Sequence, residues 1–362
     1  MSSDYVPVLE VTRGRVAESI HFGAAAVVDS NGRLIASLGN PRLVTFMRSS
    51  AKPLQVISFI ENGGDQVYHL TSRELAVICA SHEGSDEHVE VVKSIQDKVG
   101  LLESDLMCGV HQPYNLAAQE ALLKRGESPT QNRNNCSGKH TGMLAYARMR
   151  GLPLTNYLDP EHPIQKIILA TVAQMCGIPV NLVEMGTDRC SAPNFAMPLY
   201  HAALGFARLV DARGMAPERA SACRRIVAAM MANPVMVSGK GRFDTRLMET
   251  CEGRLVAKGG AEGYYALGIP PNALGSSSPG VGIALKIADG DLSIRKANGD
   301  TYNRARPAVV LEILRQMGYI GQKELDTLEE DYSPTKQVFN VRKLVTGETK
   351  TVFTIQKEGS PA

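Results

Sequence analysis

The sequence predicts an α/β fold in which one antiparallel sheet is assembled from both ends of the chain and a helical lobe is inserted between them. Three observations predict it. Strand-like alternation fills the first forty residues, helix periodicity with capping signals fills the middle, and strand patterns return from Gly253 onwards. Sheets and helices each need a partner surface for their apolar face, and pairing the two ends with the inserted helices laid against them supplies it. We expect a single domain over residues 1–362, with subdomains of approximately 1–48 plus 235–362 for the sheet and 49–234 for the helices. No internal repeat or low-complexity linker divides the chain.

Taken in order, VPVLEVTR and ESIHFGAAAVVD read as strands, and Asn31-Gly32 marks a hairpin turn into RLIASLG. SAKPLQVISFIENGG places Leu54, Ile57 and Ile60 on a helical face and stops at glycine. TSRELAVICAS opens with Thr71 and Glu74, whose side chains satisfy each other's backbone amides at a helix start. SDEHVEVVKSIQDKVG runs from a Ser85 cap to Gly100, and DPEHPIQKIILATVAQMCG from an Asp159 cap with Pro160 in the first helical position. PERASACRRIVAAMMANP is a further long helix. GRLVAKGG, GYYALGI and GVGIALKIADGDLSIRKA then alternate around glycine-rich turns, with Asp289-Gly290 as a second hairpin turn. RPAVVLEILRQMG predicts the last helix, and VFNVRKLVTGETKTVFTI an extended tail.

A chain of 362 residues with 44% hydrophobic and 21% charged side chains can build a substantial core and is not disordered. Its net charge of +2, without long basic runs, gives no electrostatic case for nucleic acid or an acidic membrane surface. The start MSSDYVPVLEV lacks both a basic n-region and an apolar h-region, so no signal peptide is expected. RIVAAMMANPVMV is too short to span a bilayer and is broken by Asn233 and Pro234. Seven scattered cysteines, an odd number, fit a reducing compartment, and the expected location is cytoplasmic.

RSSAKPLQ sets Lys52 three residues after Ser49 where a helix begins, and a cation there opposes the positive end of the helix. Ser81, in CASHEG, falls in the break between two predicted helices, and Lys258, in LVAKGGAEG, ends a predicted strand. The order Ser-x-x-Lys, loop serine, strand lysine matches the three signature elements of serine acyl-transferases of the β-lactamase and penicillin-binding type. It departs twice. Gly259 stands where Lys-Thr-Gly has threonine, and His82 and Glu83 follow Ser81 in place of a residue and an asparagine.

A serine hydroxyl needs a base, and a lysine serves once burial and a second cation keep it neutral. One helical turn puts Ser49 and Lys52 on one face, and Lys258 is the expected second cation. Each residue also has a plain reading: Ser49 as a helix cap, Lys52 reaching solvent, Ser81 as a loop residue, Lys258 as a strand-end charge. Pro53 adds an alternative in which the helix begins at the proline and Ser49 lies in the preceding loop.

NNCSGKHTGM, residues 134–143, is not a phosphate-binding loop, because Arg133 stands where the first glycine belongs. It is not a nucleophile elbow either, because Gly-x-Ser-x-Gly is absent around Ser137. It gathers Cys136, Lys139 and His140 where a loop enters a helix, and GTDRCSAP adds Asp188 and Cys190 in a second loop. Two cysteines on separate loops suit a soft metal such as zinc, or are simply two buried thiols; with no CxxC or HxxxH pair, spacing does not choose. The remaining histidines, including those of HEGSDEH, lack HExxH spacing and read as structural or surface residues.

The sequence resembles the Rhizobium-type (class 3) L-asparaginases over most of its length. The resemblance is carried by LGNPRLVTFMRSSAKPLQ, ICASHEGSDEH, CGVHQP, NNCSGKHTGML, DPEHPIQ, GTDRCSAP, VAKGGAEGYYALG and GVGIALKI. It implies the fold of the serine β-lactamases and penicillin-binding proteins, a homodimer, and hydrolysis of L-asparagine to L-aspartate and ammonia. It also implies two catalytic tandems, Ser49–Lys52 and Ser81–Lys258, with Ser49 as nucleophile and Ser81 as its rival. Zinc would be held by Cys136, Lys139 and Cys190 beside the active site, without being strictly required for turnover, and Arg48, Asp188 and His140 would bind substrate. The alternatives are a glutaminase or a penicillin-type acylase on the same fold, or a zinc-binding protein on a silent hydrolase scaffold. The missing threonine counts against penicillin, whereas one extra methylene counts only weakly against glutamine.

Overall fold

The computed structural model describes residues 4–273, 278–292, 294–295 and 301–358. At the N-terminal end are β1 (Val6–Arg13), β2 (Val16–Asp29) and β3 (Leu34–Leu38). A small separate sheet joins β4 (Val44–Phe46), β5 (Glu184–Thr187) and β6 (Pro193–Pro198). β7 (Val256–Gly259), β8 (Tyr264–Ile269) and β9 (Val281–Ile287) follow, then a ribbon of β10 (Ile294–Arg295) and β11 (Thr301–Tyr302). β12 (Thr335–Phe339), β13 (Val345–Thr351) and β14 (Gln356–Lys357) close the chain. The main sheet runs β12-β13-β1-β2-β9-β8-β7, with β3 on β2 and β14 on β3. First and last strands are antiparallel partners: Leu9 faces Thr351 and Ser37 faces Gln356. This is the predicted α/β plan, a sheet from both chain ends with helices inserted.

The inserted segment begins with a 3-10 turn, Arg48–Ala51, running into α1 (Lys52–Gln55) and α2 (Ile57–Glu61). α3 (Gly64–Val67), α4 (Ser72–Ile78), α5 (Asp86–Val99) and α6 (Leu116–Arg125) follow, then α7 (Ser137–Met149) and α8 (Pro163–Cys176). After them come α9 (Leu199–Val210), α10 (Pro217–Ala232), α11 (Pro234–Val237) and α12 (Phe243–Thr250). α13 (Arg306–Gln316) and α14 (Gln322–Tyr332) precede the final strands. α9 lies on β2, β8 and β9, and α13 on β1 and β13. The contact under α9 is backbone to backbone, since a Cβ on Gly282 would sit 1.8 Å from the Ala203 carbonyl oxygen. One apolar cluster runs through the sheet, α9 and the inserted helices. Among the described residues no helix is long and apolar enough to cross a membrane.

Local signals fared well where they are self-contained. The Thr71–Glu74 box closes in both directions, Ser85 caps α5, and the Asn31-Gly32 turn joins β2 to β3. Two expectations are corrected. Asp159 caps only a turn, accepting the Glu161 N–H, and α8 starts at Pro163 with His162 as its cap. Asp289-Gly290 ends β9 but returns no strand onto it, because both edges of β9 are already taken by β2 and β8. The stretch expected to continue to Ala297 lies partly outside the described residues. α3, α6, α9, α11, α12, α14 and the small sheet were not read from the sequence, and α14 follows the helix of RPAVVLEILRQMG that was expected to be the last.

Candidate active site

The main sheet ends at β7, and its last residues bring Lys258 against the start of the inserted helices. Lys258 is fully buried, and its Nζ donates to the Ser81 hydroxyl at 2.9 Å and to its neighbour's carbonyl, Gly259 O, at 2.8 Å. Lys52, 1% exposed, reaches the same hydroxyl from the other side at 3.1 Å and also donates to Ala80 O and, at 3.4 Å, Asn135 O. Ser81 follows the end of α4 and is fixed by its own N–H on Val237 O at 2.9 Å. Three segments distant in sequence therefore meet on one hydroxyl.

The ring of the next residue, His82, is tied to α7 and takes no charge. Gly84 N–H donates to His82 Nδ1, so the His82 proton lies on Nε2 and is donated to Ser137 Oγ at 2.9 Å. Burial, with the nearby His88 and Lys52, holds the His82 pKa well below its ordinary value. Burial likewise pushes the Lys258 pKa down from 10.5 to about 7; Lys52 and Arg242 act with it, and Asp244 and Cys136 against it.

Ser49 and Ser50 lie on the 3-10 turn. Ser50 is buried and donates to Lys258 O at 2.6 Å, tying the turn to β7. Ser49 is half-buried, and its carbonyl accepts the Lys52 N–H. The hydrogen bonds of the Lys52 amine run to Ala80 O, the Ser81 hydroxyl and Asn135 O, so among the described residues it is Ser81 and not Ser49 that it holds. Arg48, one residue earlier, has φ +51, a left-handed backbone rarely adopted without glycine. Asn194 supports that bend by accepting the Arg48 N–H at 3.1 Å. The bend aims the guanidinium at Asp188, with Nε to Oδ1 at 2.7 Å, while Glu262 lies 3.9 Å from Nη1. Burial raises the Asp188 pKa, but Lys139 and Arg48 outweigh it and the net shift is downward.

Behind Arg48 the two cysteine loops converge. Sulfur atoms of Cys136 and Cys190 and a carboxylate oxygen of Asp188 lie within 4.8 Å of one another, and Lys139 Nζ donates to Cys190 Sγ at 3.0 Å. A hydrogen bond from Cys190, helped by Lys52 and Lys139, holds the Cys136 thiol well below its usual pKa despite burial. His140 is buried in the wall beside Cys190, its Nδ1 2.6 Å from the Tyr157 hydroxyl. Two sulfurs and an amine at such separations need little movement to meet a zinc ion at about 2.0–2.3 Å, so the residues fit that group.

A sequence profile described as L-asparaginase II matches residues 9–351, nearly the whole chain. The chain belongs to the L-asparaginase II family. Membership makes it an amidohydrolase. No curated protein matches it significantly. Among solved structures the chain is similar to a probable glutaminase from Bacillus subtilis complexed with 6-diazo-5-oxo-L-norleucine, at 13% identity over 81% of this chain and 84% of that one, with a TM-score of 0.38. It is similar also to a beta-lactamase from Mycobacterium bovis, at 13% identity over 81% and 94%, again with a TM-score of 0.38. In this L-asparaginase II family member, the site residues expected from the sequence lie in one neighbourhood, His140 being buried against Cys190 with its Nδ1 on the Tyr157 hydroxyl. Asp244, Asn194 and Glu262 belong to the same neighbourhood and were missed: Glu262 stands inside VAKGGAEGYYALG, where Lys258 carries the signature, and Asp244 and Asn194 are lone polar residues outside the motifs.

Proposed function

We propose that the protein hydrolyses L-asparagine to L-aspartate and ammonia through a serine activated by lysine. The observation that carries this is the Ser81 hydroxyl shared by two fully buried amines, at 3.1 Å from Lys52 and 2.9 Å from Lys258. Ser49 attacks the side-chain amide carbon and Lys52 takes its proton. Ser81, bridging the amines, hands its proton to the departing nitrogen, which leaves as ammonia, and takes back from Lys52 the proton that came from Ser49. Water then opens the β-aspartyl ester on Ser49 and aspartate is released. Arg48 and Asp188, one cation and one anion 2.7 Å apart, suit the α-carboxylate and α-ammonium of an amino-acid substrate. Cys136, Lys139 and Cys190 would hold zinc, which supplies a fixed positive charge beside the cleft when bound. The resemblance supports a homodimer, and the cysteine usage a cytoplasmic location.

Ammonia release from asparagine, glutamine and a chromogenic β-lactam, assayed side by side, tests the substrate. Asparagine is expected to dominate, and Ser49→Ala to lower kcat by roughly 10³-fold or more. Full activity in that variant removes Ser49 from the mechanism. A second reading has Ser81 attacking instead, favoured because both amine contacts fall on its hydroxyl. Acid-quenched turnover followed by peptide mapping separates the two, since the aspartyl ester is expected on the peptide carrying Ser49.

A further inference from the structure

We infer that Asp244 is a positioning residue whose carboxylate fixes the end of β7 and holds a negative charge against Lys258. The inference rests on the proposed role of Lys258. Asp244 sits in the first turn of α12 and is 6% exposed. Its Oδ2 accepts the N–H of Gly259, the residue after Lys258, at 2.8 Å. A Cβ at position 259 would lie 3.2 and 3.3 Å from the two carboxylate oxygens and 3.6 Å from the Tyr265 ring. The carboxylate thus fills the space that a threonine side chain would need. Glycine at 259 is the consequence, and the departure from Lys-Thr-Gly is a replacement of one polar group by another delivered from a different element.

The charges around Lys258 come from several elements. Lys52 faces it from α1, Cys136 from the start of α7, Arg242 and Asp244 from α12 and its preceding residue, and Cys79 from the end of α4. Asp244 acts most strongly among the charges, and it favours the ammonium form that burial, Lys52 and Arg242 oppose. A carboxylate bonded to the adjacent peptide is well placed for this, because the strand cannot move Lys258 away from it without breaking that bond.

Asp244→Asn keeps an oxygen for the Gly259 N–H and removes only the charge. Two readouts are taken on the wild type and this variant: kcat/KM for asparagine against pH, and the Lys258 midpoint by NMR of ε-13C-lysine protein, assigned with Lys258→Arg. The expected result is a Lys258 midpoint lower by about one pH unit in Asp244→Asn, with the acid limb of kcat/KM moving down in step. Asp244→Ala, which also frees the strand end, is expected to lose kcat at every pH. An unchanged midpoint in a folded Asp244→Asn protein overturns the inference. A midpoint that falls while the activity limb stays put supports the inference and overturns the proposed role of Lys258 in turnover.

Discussion

Lys258 carries opposed demands on one amine. With burial holding its pKa at about 7, the native state binds a proton only below that pH, while the unfolded chain holds one up to about 10.5. Between those values the unfolded state binds more protons, so this group's contribution to stability rises with pH across the window; below about 7 the full cost of its burial remains. Replacing it by methionine is therefore expected to raise the melting temperature, more at pH 6 than at pH 9, while ammonia release falls by roughly 10³-fold. Thermal unfolding followed by circular dichroism checks the first part; a variant less stable than wild type at pH 6 would mean that the bonds to Ser81 and Gly259 outweigh the burial cost. The sequence reveals Ser49, Lys52, Ser81 and Lys258 because their order is a pattern. It does not reveal that Lys52 turns to carbonyls 28 and 83 positions away, since such contacts leave no spacing to read.

Helices meet around the site at distances that only glycine permits. A Cβ on Gly138 would lie 2.2 Å from Val77 O, and one on Gly142 2.6 Å from Ile78 Cγ2, so α7 rests directly on α4. The glycines of NNCSGKHTGM thus set the separation of two helices, one leading to Ser81 and the other carrying Lys139 just after Cys136. Gly138→Ala is expected to force α7 outward, weakening the proposed zinc binding at least tenfold in a chelator competition and lowering the melting temperature. Unchanged zinc affinity would show that the cysteine loops adjust independently of α7. The motif is conspicuous in the sequence, yet this purpose is not legible, because it depends on a helix 61 positions earlier (Gly138 against Val77). α9 escaped for another reason. Most of it is buried, including Ala202, Ala203, Leu204, Phe206 and Ala207, its polar face is a narrow stripe at His201 and Arg208, and Pro198 precedes it in place of a capping side chain. The Thr71–Glu74 box was readable because both partners lie within one turn. Asp159 shows the limit of such signals: a cap fixes where a turn begins and is silent on whether a helix continues.

Across the whole molecule, the β12–β13 hairpin and the site occupy opposite edges of one sheet. β1 cannot find β13 until almost all of the chain is available, and Thr12 binds the backbone of Glu348 across 336 positions. Such pairings form late and slowly, because closing so long a loop precedes any gain from it. From β12 to β7 there are six strand steps, about 29 Å at 4.8 Å each. That span is between three and four Debye lengths, at about 8 Å each in physiological salt, so charges on the terminal hairpin do not reach Lys258 through solvent. Ending the chain before Thr335 removes β12, β13 and β14, leaves the β1 edge open and takes away the buried Ile355. An open edge of this kind invites pairing with other chains. The truncated protein is therefore expected to melt earlier and aggregate more, while kcat of its soluble fraction stays within about threefold of the full chain. A loss of a hundredfold in that fraction would mean that the far edge, through β1 and β2, holds the register of β7.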